Sequence, residues 1–220
     1  MNALSTGVTT SEATSIAAAA SAHAVGYPYK VWGYGEEIAL RALLDVRDVT
    51  ADPQAATFVR DLVSTWSKAR PRLVPADHVA PGVPLLELYA RHGDGWLLDT
   101  AVDLGRLLAR FRRSSGVAVH REDLGAWRTT IWVDCMALDA PFLLRLAHAT
   151  GDEAWAALGV AQLRDYAQAL LDPERRLFHH GYDVATGLRS PCRWARGNGW
   201  ALHGIVDAIE ALPADHEARP

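Results

Sequence analysis

The sequence predicts an all-α fold built from repeated helical hairpins, and three observations support that prediction. Apolar residues recur at helical spacing along much of the chain, for example Leu40, Leu43 and Leu44. Alternating strand patterns are scarce, and Val117–Val119 is the only short candidate. A two-helix unit also repeats with an offset of 58 residues, most visibly in the Gly-Asp pairs 93–94 and 151–152.

Each copy of the repeat has an apolar run of the form Leu-Leu-x-Leu, at 85–88 and at 143–146, followed by the Gly-Asp pair. The glycine suits a left-handed position at the end of one helix, and the aspartate suits the cap of the next. A weaker copy is Leu43-Leu44 followed by Ala51-Asp52. Repeated hairpins of about 40–60 residues are typical of a solenoid or a closed α/α toroid. The alternative interpretation is that the Gly-Asp pairs only mark ordinary helix ends and starts.

The element order predicts eight helices and no sheet. Residues 1–24 are rich in Ala, Ser and Thr, and we expect them to be flexible or weakly helical. They lack the positive start and Leu-rich core of a secretory signal, which predicts a cytoplasmic protein. No long Pro/Gly/Ser linker divides the rest, so 25–220 is expected to be one helical domain. The predicted helices cover 12–23, 34–48, 53–70, 79–92, 95–113, 130–149, 152–171 and 197–212.

Composition excludes several functional classes. The 220 residues carry a net charge of −4 without a Lys/Arg run, which argues against nucleic-acid or membrane-surface partners. The two cysteines, Cys135 and Cys192, cannot form a disulfide framework or a metal knuckle, and each is expected to be a buried small residue. No nucleotide-binding glycine motif is present, and no compact histidine spacing suggests zinc. We therefore expect no cofactor and no metal; the sequence does not indicate the oligomeric state.

The candidate functional residues cluster at predicted helix entrances. The most specific segment is Trp194-Ala195-Arg196-Gly197-Asn198-Gly199-Trp200. Its arginine has a planar guanidinium group that can bind a carboxylate through two hydrogen bonds, and its tryptophans can stack on a sugar ring. The alternative is a structural arginine beneath packed tryptophans.

Two aspartates are candidate acids. Asp134 has apolar neighbours and is placed at the start of the predicted sixth helix. An apolar environment raises the pKa of a carboxyl group, as a general acid requires. The alternative is an aspartate at a helix start that interacts with the helix dipole. Asp77 starts another predicted helix, where a capping role competes with a catalytic one.

These motifs resemble the unsaturated rhamnogalacturonyl hydrolases, glycoside hydrolase family 105, and the related unsaturated glucuronyl hydrolases. Five signatures occur in order over residues 32–212: Asp77-x-x-x-Pro81-Gly82 with the following Leu run, Trp132-Val133-Asp134, Pro141 to Leu146 with Thr150-Gly151-Asp152, Leu177 to Asp183, and Trp194 to Trp200. The sequence departs from the family pattern at Ala80, where Asn is expected, and at Cys135, where a small or polar residue is more usual.

The resemblance implies an (α/α)6 barrel of twelve helices, of which about eight are expected here, because twelve helices need well over 300 residues. It implies that the missing third was lost or that another chain supplies it. It also implies an enzyme acting on the 4,5-unsaturated uronic acid left by polysaccharide lyases, as in pectin degradation. By resemblance, Asp134 is the general acid/base and Asp77 a second carboxylate of the site. Substrate contacts are implied for Tyr34, His120, His180, Trp194, Arg196 and Trp200.

The implied chemistry differs from ordinary glycoside hydrolysis, which needs two opposed carboxylates at the anomeric carbon. Asp134 would protonate C4 of the double bond, water would add at C5, and the resulting hemiketal would open. The preferred substrate is an unsaturated galacturonyl-rhamnose oligosaccharide. An unsaturated glucuronyl substrate and an inactive truncated helical remnant are the alternatives.

Overall fold

The computed structural model describes residues 10–29, 33–50, 53–69, 80–111, 113–114, 117–121 and 124–219. Eight α-helices lie within these ranges, and they confirm the predicted all-α class. The helices are α1 (Thr10–Val25), α2 (Tyr34–Thr50), α3 (Pro53–Ala69), α4 (Gly82–His92), α5 (Gly95–Arg110), α6 (Asp139–Thr150), α7 (Glu153–Leu170) and α8 (Ala195–Ala211).

The helices form two layers. Helices α2, α4, α6 and α8 form an inner row in which each contacts the next, while α3, α5 and α7 pack behind them as the partners of successive hairpins. The main core fills the space between the layers and includes Leu40, Leu88, Leu104 and Leu143, all essentially without solvent exposure. Each such side chain contributes about 1.5–3 kcal/mol through burial, so the apolar helix faces account for the layered arrangement.

The 58-residue repeat has the predicted geometry at its turns. Gly93 and Gly151 end α4 and α6 in the left-handed conformation, with φ of 70° and 69°. Asp152 accepts a hydrogen bond from the Ala154 amide at 3.0 Å, as expected of a cap. Asp94 makes no such bond and instead pairs with Arg60 at 2.5 Å. The third copy, at Ala51-Asp52, lies outside the described residues.

The predicted helix over 130–149 is wrong in its first part. Thr130–Trp132 is a strand, Val133–Ala137 is a 3₁₀ turn, and α6 begins only at Asp139. The reason is Pro141, which fits the first turn of a helix but would break an interior. Pro84 occupies the same third position in α4, which begins at Gly82.

The expected absence of any sheet is also wrong, because three small antiparallel sheets link the helices in the described ranges. The Val117 candidate is confirmed as a strand over 117–118. The three-stranded sheet brings together segments about 50 residues apart, since Trp132 pairs with Gly181 and Thr130 with Asp183. The strands are β1 (Arg113–Ser114), β2 (Val117–Ala118), β3 (Thr130–Trp132), β4 (Leu171–Asp172), β5 (Leu177–Phe178), β6 (Gly181–Asp183) and β7 (Leu188–Arg189).

The two cysteines differ in environment. Cys135 is buried as expected, but Cys192 is exposed in the loop before α8, so the prediction for that residue is wrong. Across the described part of the chain, no helix is long and apolar enough to cross a membrane.

Candidate active site

The sheet β3-β6-β7 brings Asp134 and His180 together. The Val133 amide donates to the His180 carbonyl at 3.0 Å and so extends the β3–β6 pairing by one bond. As a result, His180 Nε2 lies 3.4 Å from Asp134 Oδ2. The Asp134 side chain is 14% exposed and that of His180 33%, so both side chains are partly accessible to solvent.

Aromatic rings surround this pair. The Trp132 ring lies 5.1 Å from His180 and stacks on His120 at 4.4 Å, with an interplanar angle of 11°. On the other side, the Trp194 ring lies 5.0 Å from His180, and the Arg196 guanidinium carbon sits 4.2 Å above that indole. The cluster therefore offers flat faces beside a carboxylate, an arrangement that suits a sugar ring.

The start of α8 is held against the His180 loop by Asn198. The Asn198 side chain accepts from the Phe178 amide at 2.7 Å and donates to the Phe178 carbonyl at 3.0 Å. It also donates to the Trp194 carbonyl at 3.1 Å. One amide side chain thus fixes the position of Trp194 relative to His180.

Close backbone packing holds α8 against the 3₁₀ turn that carries Asp134. A Cβ atom on Gly204 would lie 2.0 Å from the Met136 carbonyl oxygen, and one on Gly197 would lie 2.8 Å from Val133 Cγ1. Only glycine permits this approach. Sequence analysis did not assign Gly204 a role, because a glycine inside a helix gives no sign of its packing partner.

A narrow pocket opens on the other side of Asp134, between the start of α2, the 3₁₀ turn and α8. Tyr34 and Trp200 close one wall, with ring centroids 5.7 Å apart. Glu37 and Arg41 of α2 also line the pocket, together with His203 of α8.

Charged residues from all four inner helices meet behind this pocket. Arg41 of α2 contacts Asp207 of α8 at 3.1 Å and Glu87 of α4 at 3.6 Å, while Arg145 of α6 also binds Asp207. Glu37 is the fifth member, 1% exposed, and burial raises its pKa to about 8. The two guanidiniums lower the pKa of Asp207 against the opposing effect of burial. Sequence analysis missed this cluster, because its members lie far apart in the chain and on otherwise apolar helix faces.

A second buried network supports the start of α6. Asp139 is fully buried and accepts hydrogen bonds from the Tyr166 hydroxyl at 3.0 Å and from the Gln162 amide. Burial raises the pKa of Tyr166 well above its ordinary value. This network fixes α7 against the start of α6, directly after the 3₁₀ turn that carries Asp134.

Seven of the eight site residues predicted from the sequence are linked in the structure by ring contacts, an ion pair or a shared pocket lining. Asp77 lies outside the described residues. Within the part of the chain that the structure describes, no group of three or more His, Cys, Asp or Glu side chains is arranged to hold a metal ion. The connected residues are Tyr34, His120, Asp134, His180, Trp194, Arg196 and Trp200.

Comparison with solved structures shows a shared fold. A family 105 glycoside hydrolase from C. acetobutylicum superposes with a TM-score of 0.75 at 23% identity, over 92% of this chain and 60% of its own. An unsaturated glucuronyl hydrolase from Streptococcus agalactiae gives 0.65 at 20% identity, over 84% and 50%. The fold class is therefore the (α/α)6 toroid of these proteins.

Sequence comparison agrees with the fold. The unsaturated rhamnogalacturonyl hydrolase YesR of Bacillus subtilis is 21% identical over 190 residues, which are 84% of this chain and 55% of YesR. The chain thus spans little more than half the length of this relative. The model of Glycosyl Hydrolase Family 88 matches residues 10–220, nearly the entire sequence. On this match, the chain belongs to glycosyl hydrolase family 88.

Proposed function

We propose that this chain carries the acid/base site of a hydrolase for 4,5-unsaturated uronic acids at the non-reducing end of lyase-generated oligosaccharides. The observation that carries the proposal is the Asp134–His180 pair, 3.4 Å apart and set among aromatic rings. Membership of family 88 and the likeness to a rhamnogalacturonyl hydrolase support this substrate class. Pectin fragments of the unsaturated galacturonyl-rhamnose type are the proposed substrate.

In the proposed reaction, Asp134 acts first as a general acid. Its proton goes to C4 as the C4=C5 electron pair forms the new C–H bond, and positive charge develops on C5 and the ring oxygen. A water molecule adds to C5, and its proton returns to the Asp134 carboxylate. The hemiketal formed at C5 then opens by breaking the bond between C5 and the ring oxygen, which leaves a ketone at C5 and a hemiacetal at C1. The hemiacetal collapses to an aldehyde by breaking the bond between C1 and the glycosidic oxygen, which takes up the proton and leaves with the second sugar. One residue therefore serves as acid and then as base.

The neighbouring side chains have distinct proposed roles. His180 orients the Asp134 carboxyl through its 3.4 Å contact, while Trp194 and Trp200 hold the ring of the sugar. Arg196, exposed above Trp194, binds polar groups at the uronate subsite. Tyr34 and His120 extend the site through their contacts with Trp200 and Trp132. Asp77 stays the proposed second carboxylate.

A second candidate is an unsaturated glucuronyl hydrolase, favoured by the likeness to the Streptococcus agalactiae protein of that name. Both activities use the same acid/base step, and the C4=C5 double bond removes the C4 stereocentre by which galacturonate and glucuronate differ. The released sugar and its linkage therefore separate the two activities. Location in the cytoplasm stays a prediction from the N-terminal composition.

The test is turnover of unsaturated galacturonyl-rhamnose and of unsaturated glucuronyl disaccharides, followed by loss of the enol-ether absorbance. We expect the Asp134→Asn variant to lose roughly 10²–10⁴-fold in rate, because its amide can neither give nor take the proton. Asp103→Asn is the matched control, since Asp103 is exposed on α5 and pairs only locally with Arg106. Near-normal turnover by Asp134→Asn would refute the mechanism, and failure of the wild-type chain on both sugars would favour an inactive helical remnant.

A further inference from the structure

Glu37 is an unusual residue in the wall of the Asp134 pocket. Its side chain is 1% exposed, and neither carboxyl oxygen has a hydrogen-bond partner among the residues that the structure describes. A buried carboxyl without partners is costly, so its presence calls for a physical reason. The charged cluster does not supply one, because Asp207 takes the hydrogen bonds of Arg41 and Arg145.

Trp200 presents a second unpartnered group to the same pocket. Its indole nitrogen is buried and, in the described part of the chain, makes no hydrogen bond. An indole N–H is only a donor. The residues that line the pocket therefore include one obligatory donor, one carboxyl group and, in Arg41, a source of positive charge.

The protonation state of Glu37 decides what the pair can bind. Burial is the largest cause of its raised pKa, followed by opposing effects of Arg41 and Asp207, and the resulting value of about 8 keeps the acid neutral at pH 7. A neutral carboxyl group has an O–H donor. Two donors in the lining of one pocket, with a cation beside them, match a carboxylate better than a hydroxyl group, because hydrogen bonds to an ionised acceptor are the stronger ones.

We propose that Glu37 contacts the ligand directly and that its O–H, together with the Trp200 indole N–H, binds the carboxylate of the uronate ring beside Asp134. This inference rests on the proposed function for the identity of the ring. It assigns α2 a part in recognising the acid group, in addition to the aromatic faces supplied by the loops and α8.

The test compares an unsaturated galacturonyl-rhamnose disaccharide with its uronate methyl ester, which lacks the negative charge. Binding is measured by calorimetry at pH 7, with every protein in an Asp134→Asn background so that the double bond survives. We expect Glu37→Leu to bind the free acid roughly tenfold to hundredfold more weakly and the ester almost unchanged. Glu37→Gln, whose amide still donates, should retain affinity for the acid within about threefold.

Glu87→Gln is the matched control. Glu87 belongs to the same charged cluster and is also largely buried, but it lines a different cavity, near the ends of α4 and α6. Trp200→Phe provides an independent variant if Glu37→Leu does not fold, and it should weaken binding of the acid more than that of the ester. Equal losses for acid and ester, or equal effects of Glu37→Gln and Glu37→Leu, would overturn the inference while leaving the proposed function intact. Absence of binding by either sugar to the parent protein would overturn both.

Discussion

The substitution Gly204→Ala tests whether close packing of α8 holds the turn that carries Asp134. The added Cβ would lie 2.0 Å from the Met136 carbonyl oxygen and 2.9 Å from the Ala137 Cα, whereas ordinary contacts begin near 3.4 Å. Because the nearest obstacles are backbone atoms, no side chain can rotate away, and the helix itself must move by about 1 Å or more. Overpacking of this kind costs about 1–3 kcal/mol and occasionally more, and we expect the upper end here.

The same helix offers a matched control in Gly199→Ala. A Cβ at Gly199 meets nothing within 4 Å, so the change should raise stability by roughly 0.5–1 kcal/mol through helix propensity. Urea unfolding followed by the fluorescence of the eight tryptophans measures both variants. If Gly204→Ala unfolds at the same urea concentration as Gly199→Ala, the packing argument is wrong.

Three further predictions concern stability. Glu37 has a pKa of about 8 in the folded state and an ordinary pKa of 4.5 in the unfolded chain. Retaining the proton therefore stabilises the folded state at low pH, and this stabilisation is lost as the pH rises from 4.5 to 8. The gap predicts that the unfolding free energies of wild type and Glu37→Gln diverge by up to about 4 kcal/mol between pH 5 and 8; parallel pH profiles would contradict it. Tyr166→Phe removes the 3.0 Å hydrogen bond to buried Asp139 and should lower the unfolding free energy by about 1–3 kcal/mol in urea, and an unchanged midpoint would count against that network. Deletion of residues 1–23, close to our proposed domain boundary, should shift the melting temperature by only a few degrees. Ser21 is the one buried residue of α1 that is lost, and the apolar α1 side chains that pack on the main core, Ala24 and Val25, are kept; loss of cooperative melting would place the segment inside the domain.

The sequence predicted those parts of the fold that depend on local chemistry. Gly93 and Gly151 end their helices as expected, because a left-handed residue at a helix end follows from glycine itself. Asp94 departed from its expected capping role, because its preferred partner, Arg60, lies on a different helix.

The candidate site was predictable to a lesser degree. Helical periodicity predicts a helix through the segment around Asp134, although Pro141 limits where that helix can begin. The pairing of β3 with β6, which places Asp134 beside His180, depends on contacts between distant segments. Glu37 could not be identified in advance, since its burial results from tertiary packing rather than from its neighbours in the sequence.

The contact between Arg41 and Asp207 has a consequence for how the molecule unfolds. In an array of helical hairpins, each unit touches only its neighbours, so such arrays can fray from one end. Arg41 and Asp207 are 166 positions apart and join the first inner helix directly to the last. Release of α8 would leave the Arg41 charge partly buried without its closest partner, and this penalty opposes stepwise fraying. The four inner helices are thereby coupled into one cooperative unit, whose loss of order is expected as a single transition.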